Sequence, residues 1–167
     1  TIRPETPNDF AEIRKMLVLA FPDEDVASLV EAIRGIPTYD RELALVAELD
    51  SAIIGHVMFT AIQIESDTGT MSAMTLAPLA VLPTWQKQGV GSKLANHGLE
   101  QCKSLGHNIV TVIGHSTYYP KFGFTQSMPL GIDMTHAKLN ESKMIMALTP
   151  GALDGVTGMV HLPSVFD

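Results

Sequence analysis

Apolar positions along this chain recur at two different periods, and the change of period divides it. Phe10, Ile13, Leu17, Val18 and Phe21 are spaced by about one helical turn, the stripe of an amphipathic helix. Thr6 and Pro7 ahead of them suit a cap and a first helical position. A second stripe, Val26, Leu29, Val30 and Ile33, follows a run of acids and precedes Gly35. Acids suit a first turn and glycine suits a stop. The period then shortens. Residues 42–49, 52–65 and 70–81 read as strands, separated by Asp50-Ser51 and by "SDTG", both with hairpin chemistry. An antiparallel meander is expected. Pro78 cannot donate to a ladder, so it predicts a bulge or an edge just before Val81.

Helical spacing returns at Val90, Leu94, Leu99, Cys102 and Leu105, up to Gly106. "NIVTVIG" reads as a short buried strand, "STYYPKFGF" as a short helix and turn, and "KMIMAL" as a last strand. From Pro150 onward no period is visible, and the tail is expected to pack on the surface or form an edge. The strand, glycine turn, helix and strand of the middle predict a parallel crossover. The expected fold class is α/β: a mixed, mostly antiparallel central sheet flanked by helices. It is expected as one domain over residues 1–167, with 150–167 as a C-terminal extension packed on it.

Composition narrows the function. A chain of 167 residues, 46% hydrophobic, suits one ordinary packed domain. No apolar run reaches the ~18 residues of a spanning helix, and "TIRPETPNDF" lacks signal-peptide order. One cysteine, Cys102, excludes an internal disulfide, so a cytoplasmic setting is expected. It falls on an apolar stripe and reads as a small core residue. The net charge of −7 argues against a nucleic-acid partner. Six histidines form no H-x-x-x-H pair and there is no C-x-x-C, so no metal site is expected.

The segment carrying chemistry is "VLPTWQKQGVGSKLA" (residues 81–95), where Gly89 and Gly91 lead into a helix. A helix N-terminus has unpaired N–H groups and about half a positive charge. Glycines let backbone approach an anion closely. Gln86, Lys87, Gln88, Gly89, Val90, Gly91 and Ser92 can thus wrap a phosphate or pyrophosphate. Neither a Walker loop nor G-x-G-x-x-G is present, Leu94 standing at the last position. A tight turn with no ligand is the competing reading.

"LAPLAVLPTWQKQGVGSKLANHGLE" resembles the acetyl-CoA segment of the Gcn5-related N-acetyltransferase (GNAT) superfamily. Gln86, Gly89 and Gly91 match its [QR]-x-x-G-x-[GA] pattern after Pro83. "YYPKFGF" resembles a second signature, and with "LAPLAVLP" and "GALDGVTGMV" it is similar to the YhbS-like bacterial subgroup. The resemblance covers nearly the whole chain. It implies an N-acetyltransferase using acetyl-CoA as co-substrate, with direct transfer to a primary amine of a small molecule or peptide, and a homodimer. It implies that Leu79, Ala80 and Val81 contact the pantetheine arm and that residues 86–92 hold the diphosphate. Tyr119 matches the tyrosine assigned as general acid, while Tyr118 is read as packing. Backbone N–H near Val81 would polarise the thioester carbonyl.

Two departures from the family bear on the chemistry. The strand before the loop, "MSAMTLAPLAV", has no carboxylate where many relatives place a glutamate base. His56, Glu65, Asp67 and His115 remain candidates, each with a bland structural alternative. "GHSTYYPKFGF" has His115 and Ser116 where the subgroup has Asp-Pro. Asp23, Glu24 and Asp25 either border an amine acceptor or simply start a helix. Trp85 covers the cofactor or shields it. Met58, Met71 and Met74 line an adaptable pocket or fill core. The missing glutamate also admits a second function class, a non-catalytic acyl-CoA-binding sensor.

Overall fold

The computed structural model describes residues 1–167, which divide into two compact units. The first comprises Thr1–Thr60 and Ala77–Gln101, and the second Ala61–Leu76 and Cys102–Asp167. In chain order the elements are β1 (Ile2–Pro4), α1 (Phe10–Ala20), α2 (Asp25–Arg34), β2 (Ala44–Leu49), β3 (Ala52–Ser66), β4 (Gly69–Val81), α3 (Val90–Ser104), β5 (Ile109–Ile113), β6 (Thr125–Gln126), β7 (Ile132–Met134), β8 (Lys143–Ala147) and β9 (Gly158–His161). The sheet is mixed and mostly antiparallel, as the pattern predicts, and two of its strand pairs are parallel, β4–β5 and β7–β9.

In the first unit the strand order is β1-β2-β3-β4. β1 pairs antiparallel with β2, Ile2 opposite Ala47, an edge strand too short for its period to show. β2 and β3 form the expected hairpin. Its turn holds Asp50 and Ser51 at φ 50° and 68°, the left-handed pair a two-residue hairpin needs. In α1 the buried residues are Ile13, Met16 and Leu17, while Val18 is 36% exposed. Met16 therefore replaces Val18 in the stripe, because i, i+3 and i+4 share a face and i+5 has rotated off it. The helix also starts later than Pro7. Pro7–Asp9 make one 3-10 turn, and the Asp9 carboxylate accepts from the Thr6 amide at 2.7 Å. α2 ends at Arg34 as expected, but Gly35 keeps an ordinary φ of −87° and donates to the Ala32 carbonyl. The stop is a tightened last turn, with no left-handed residue.

α3 lies against β3 through small residues. A Cβ on Gly98 would come 2.2 Å from the Phe59 ring, and one on Gly55 would come 2.7 Å from Leu94. Both glycines are spaces occupied by a neighbour's side chain, which lets helix and sheet approach closely.

In the second unit β4 pairs parallel with β5, Met74 opposite Val110 and Thr75 opposite Thr111. β5 pairs antiparallel with β8, and β8 with β6. The tail differs from expectation. Its strand β9 lies between β3 and β7, antiparallel to the first and parallel to the second. Val156 and Val160 join Ile62, Ile64, Ala73, Ile109, Ile132, Met134 and Ile145 in one core, with Ala152, Leu153 and Leu162 against it. The tail is thus built into a core, and β8 is not the last strand. Gly158 takes φ 135° where a Cβ would meet the Glu65 carbonyl oxygen at 2.2 Å, so only glycine fits where β9 meets β3.

Candidate functional site

The glycine turn is built from the end of β4 upward. The Leu82 amide donates to the Ile54 carbonyl at 2.8 Å, and Pro83–Trp85 make one tight turn. Two glutamines then brace the loop from within. Gln86 donates its side-chain amide to the Val81 carbonyl at 3.0 Å, and Gln88 donates to the Thr84 carbonyl at 3.2 Å. With these side chains engaged, what they offer a ligand is backbone. Lys87 and Gly89 take left-handed φ of 62° and 88°. A left-handed lysine costs about 1 kcal/mol, tolerable where the turn is otherwise fixed.

The first intrahelical bond of α3 runs from the Lys93 amide to the Gly89 carbonyl. The amides of Val90, Gly91 and Ser92 therefore have no acceptor inside the helix. Residues 86–89 are exposed and 90–92 partly so. Three donors without an intrahelical acceptor thus stand at the positive end of a 15-residue helix, an arrangement that suits an anion. Of the strand residues ahead of it, Ala80 is buried, and Leu79 and Val81 are partly buried. Trp85 borders a groove of about 250 Å³ with Gln88, Val90, Lys93, Glu48 and Ile54.

In the second unit Tyr119 begins a short helical turn, Tyr119–Phe122, closed by left-handed Gly123. The ring lies over bare Gly114, where a Cβ would come within 2.4 Å of it, and its edge meets Phe124 at 5.8 Å between centroids. Burial, with Tyr118 adding to it, pushes the Tyr119 phenol up to about 12. It is a protonated donor throughout the neutral range. Tyr118 packs in the same aromatic group, 5.4 Å from Phe122, with Lys121 Nζ 4.0 Å above its ring. The His115 backbone carbonyl, and not its imidazole, caps this turn by accepting from the Tyr118 and Tyr119 amides.

The other candidates separate. Glu65 pairs with His161 at 2.9 Å, both more than half exposed, and Asp67 lies exposed in the β3–β4 turn. The Asp23 carboxylate accepts from the Asp25 amide and Glu24 stands 3.8 Å from Arg14, which is what the start of a helix asks of acids. Met58 and Met74 are buried core residues and Met71 is 41% exposed. Cys102 is fully buried in α3.

His56 is different. It is fully buried, and its Nε2 lies 2.9 Å from Oε1 of Glu5, itself fully buried. Glu5 also accepts from Arg34 Nε and Nη2 at 2.9 and 3.0 Å and from the Tyr39 hydroxyl at 2.7 Å. Burial pushes this carboxyl up, but the bonds from His56, Arg34 and Tyr39 outweigh it and hold it at about 2. Burial and Glu5 together raise the Tyr39 phenol. The pattern of the chain does not point to Glu5, Arg34 or Tyr39. They stand 51, 22 and 17 residues from His56, and no local period brings them together.

Comparison with known proteins gives the family. Residues 1–127 match the acetyltransferase (GNAT) domain family. The chain is 34% identical over 117 residues to the uncharacterized N-acetyltransferase YjhQ of Escherichia coli strain K12, covering 70% of this chain and 65% of YjhQ. It thus spans just under two thirds of that relative. With the uncharacterized N-acetyltransferase YhbS of the same strain it shares 29% identity over 169 residues, 99% of this chain and 98% of YhbS. The crystal structure of E. coli YhbS in complex with CoA superposes with a TM-score of 0.92 at 28% identity, covering 99% of this chain and 91% of that one. A GNAT family acetyltransferase from Brucella melitensis in complex with acetyl-CoA gives 0.81 at 30% identity, covering 100% and 97%.

Proposed function

The chain belongs to the GNAT acetyltransferase family, and on that premise we propose that it moves an acetyl group from acetyl-CoA to a primary amine of a small molecule or peptide. The observation that carries the reading is the cradle of unpaired amides at Val90, Gly91 and Ser92 behind a glutamine-braced loop. Such a cradle suits a diphosphate. In this reading residues 86–92 hold the diphosphate of coenzyme A through their backbone, and Leu79, Ala80 and Val81 meet the pantetheine arm.

The amine must be neutral to attack. Its nitrogen bonds to the thioester carbonyl carbon, and the carbonyl electrons move to oxygen. Backbone N–H near Val81 stabilises that oxyanion. When it collapses, the C–S bond breaks, the leaving sulfur takes the phenolic proton of Tyr119, and the N–H bond of the now cationic nitrogen breaks to return a proton to the phenolate. A phenol held at about 12 is protonated throughout the neutral range, so it is present as a donor where charge develops on sulfur, and its transient phenolate is base enough to take the nitrogen's proton.

Thiol release from acetyl-CoA across a panel of polyamines, aminoglycosides and lysine peptides tests this, with Tyr119→Phe in parallel. The expected result is turnover on one acceptor class and a kcat roughly 100-fold lower in the variant, with acetyl-CoA affinity kept. Tight acetyl-CoA binding by calorimetry with no thiol release on any amine would replace the enzyme with an acyl-CoA-binding sensor, the reading favoured by the carboxylate-free β4. Full activity in Tyr119→Phe would remove the phenol from the mechanism.

A further inference from the structure

An attacking amine, an ammonium ion at neutral pH, must first lose a proton, and residues 71–81 of β4 contain no carboxylate to take it. The structure assigns this task to His56, acting through a bridging water and oriented by Glu5; the assignment rests on the acetyltransferase reading above.

β3 and β4 are neighbours. The Ile54 carbonyl accepts from the Leu82 amide, and the Cβ position of Gly55 lies 3.2 Å from the Ala80 carbonyl oxygen. Antiparallel strands count in opposite directions, so His56 stands across from Leu79 and Ala80. That stretch is the one proposed to hold the pantetheine arm. Neighbouring side chains on a strand point to opposite faces. Gly55 faces Leu94 and Val90 of α3, so His56 faces away from α3.

His56 Nε2 meets the Glu5 carboxylate at 2.9 Å, while the buried Nδ1 has no hydrogen-bond partner. A buried unpaired nitrogen is uncommon and asks for an explanation. With Nε2–H given to Glu5, the lone pair of a neutral ring is on Nδ1. A carboxylate fixing one imidazole nitrogen while the other is open is the arrangement of an oriented general base. The charged and titratable groups around this ring are Glu5 after β1, Arg34 of α2 and Tyr39 after α2. Arg34 Nε and Nη2 and the Tyr39 hydroxyl donate to Glu5, and no donor bonds Nδ1.

The proton balance is simple. The N–H bond of the ammonium breaks to water, a proton of that water forms the Nδ1–H bond, and Glu5 steadies the imidazolium. The ring returns its proton to solvent after acetyl transfer. The second proton, shed as the nitrogen becomes an amide, restores the Tyr119 phenol that protonated the sulfur, so no other reactant is required.

His56→Gln tests this, because the Gln amide can still donate to Glu5 but has no base. Rates of thiol release from acetyl-CoA are measured against pH with the amine that the wild-type protein turns over fastest. The expected result is a kcat at least about 100-fold lower and loss of the slope-of-one acid limb, with the acetyl-CoA dissociation constant within twofold of wild type. An unchanged acid limb in His56→Gln overturns the assignment and leaves the acetyltransferase reading standing. Absence of thiol release by the wild type on every amine overturns both. Should the variant not fold, nitrogen NMR of 15N-histidine wild type decides. A protonated Nδ1 at neutral pH overturns the assignment, and an unprotonated, unbonded Nδ1 that shifts on acetyl-CoA binding supports it.

Discussion

Replacing Glu5 with Gln keeps the side chain's shape and removes its charge, which isolates what the buried carboxylate does for stability. Two routes give its magnitude. Arg34, only 10% exposed, would lose its partner, and breaking a buried pair from one side costs about 3–5 kcal/mol. The second route is protonation. The carboxyl is lowered from 4.5 to about 2 by His56, Arg34 and Tyr39 against the opposing effect of burial. At 1.36 kcal/mol per tenfold, that gap is worth on the order of 3 kcal/mol. The sign follows from the direction. A depressed folded value means the stability is fully present above the ordinary carboxylate range and is lost as pH falls from about 4.5 towards 2. For a chain of this size 3 kcal/mol lowers Tm by about 6–12 °C. Thermal melts of wild type and Glu5→Gln, from pH 7 to pH 2.5, measure both effects. The variant should melt at least 6 °C lower at pH 7, and the difference should shrink on acidification. A variant within 2 °C of wild type at pH 7, or a difference constant down to pH 2.5, would show that the buried carboxylate does not stabilise the fold.

Other consequences follow from close backbone contacts. Alanine at Gly98 would gain about 1 kcal/mol of helix propensity, but its Cβ would stand 2.2 Å from the Phe59 ring, and overpacking costs about 1–3 kcal/mol. Gly98→Ala should therefore lower Tm in the wild-type background and raise it in a Phe59→Leu background; a double-mutant cycle of melts measures the reversal. Gly158→Ala forces a Cβ to 2.2 Å from the Glu65 carbonyl oxygen at φ 135°. It should release β9, seen as faster hydrogen exchange at Val160, while the Val46 amide in β2 keeps its protection.

What was legible in the sequence was what a few neighbouring residues decide among themselves. The Asp50-Ser51 hairpin follows from residues that tolerate a left-handed φ. The free first amides of α3 follow from Gly89 and from a helix that cannot bond its own first amides. Strands β1, β6, β7 and β9 have three, two, three and four residues, too few for an alternation to register. The register of β9 between β3 and β7 depends on Gly158 meeting a carbonyl some ninety residues earlier. Tyr119 reads as one aromatic among several until the second signature singles it out.

The Glu5 cluster was hidden for a different reason. Hydrophobic patterning locates burial through apolar residues, so a buried ion pair imitates surface in sequence. Glu5 stands between Pro4 and Thr6, and Arg34 lies in the last turn of α2 beside Gly35, where basic residues are ordinary. Each looks solvated on its own. Only the fold shows them solvating each other, with His56 as the third member. Such a cluster is a poor device for stability alone, since apolar residues of similar volume often serve as well or better. What apolar residues cannot supply is an imidazole held by one nitrogen with the other open. The cluster is thus better accounted for by the proton it can take than by the strands it joins, and Glu5→Gln should then lower kcat along with Tm. A Tm loss with kcat intact would make it structural after all.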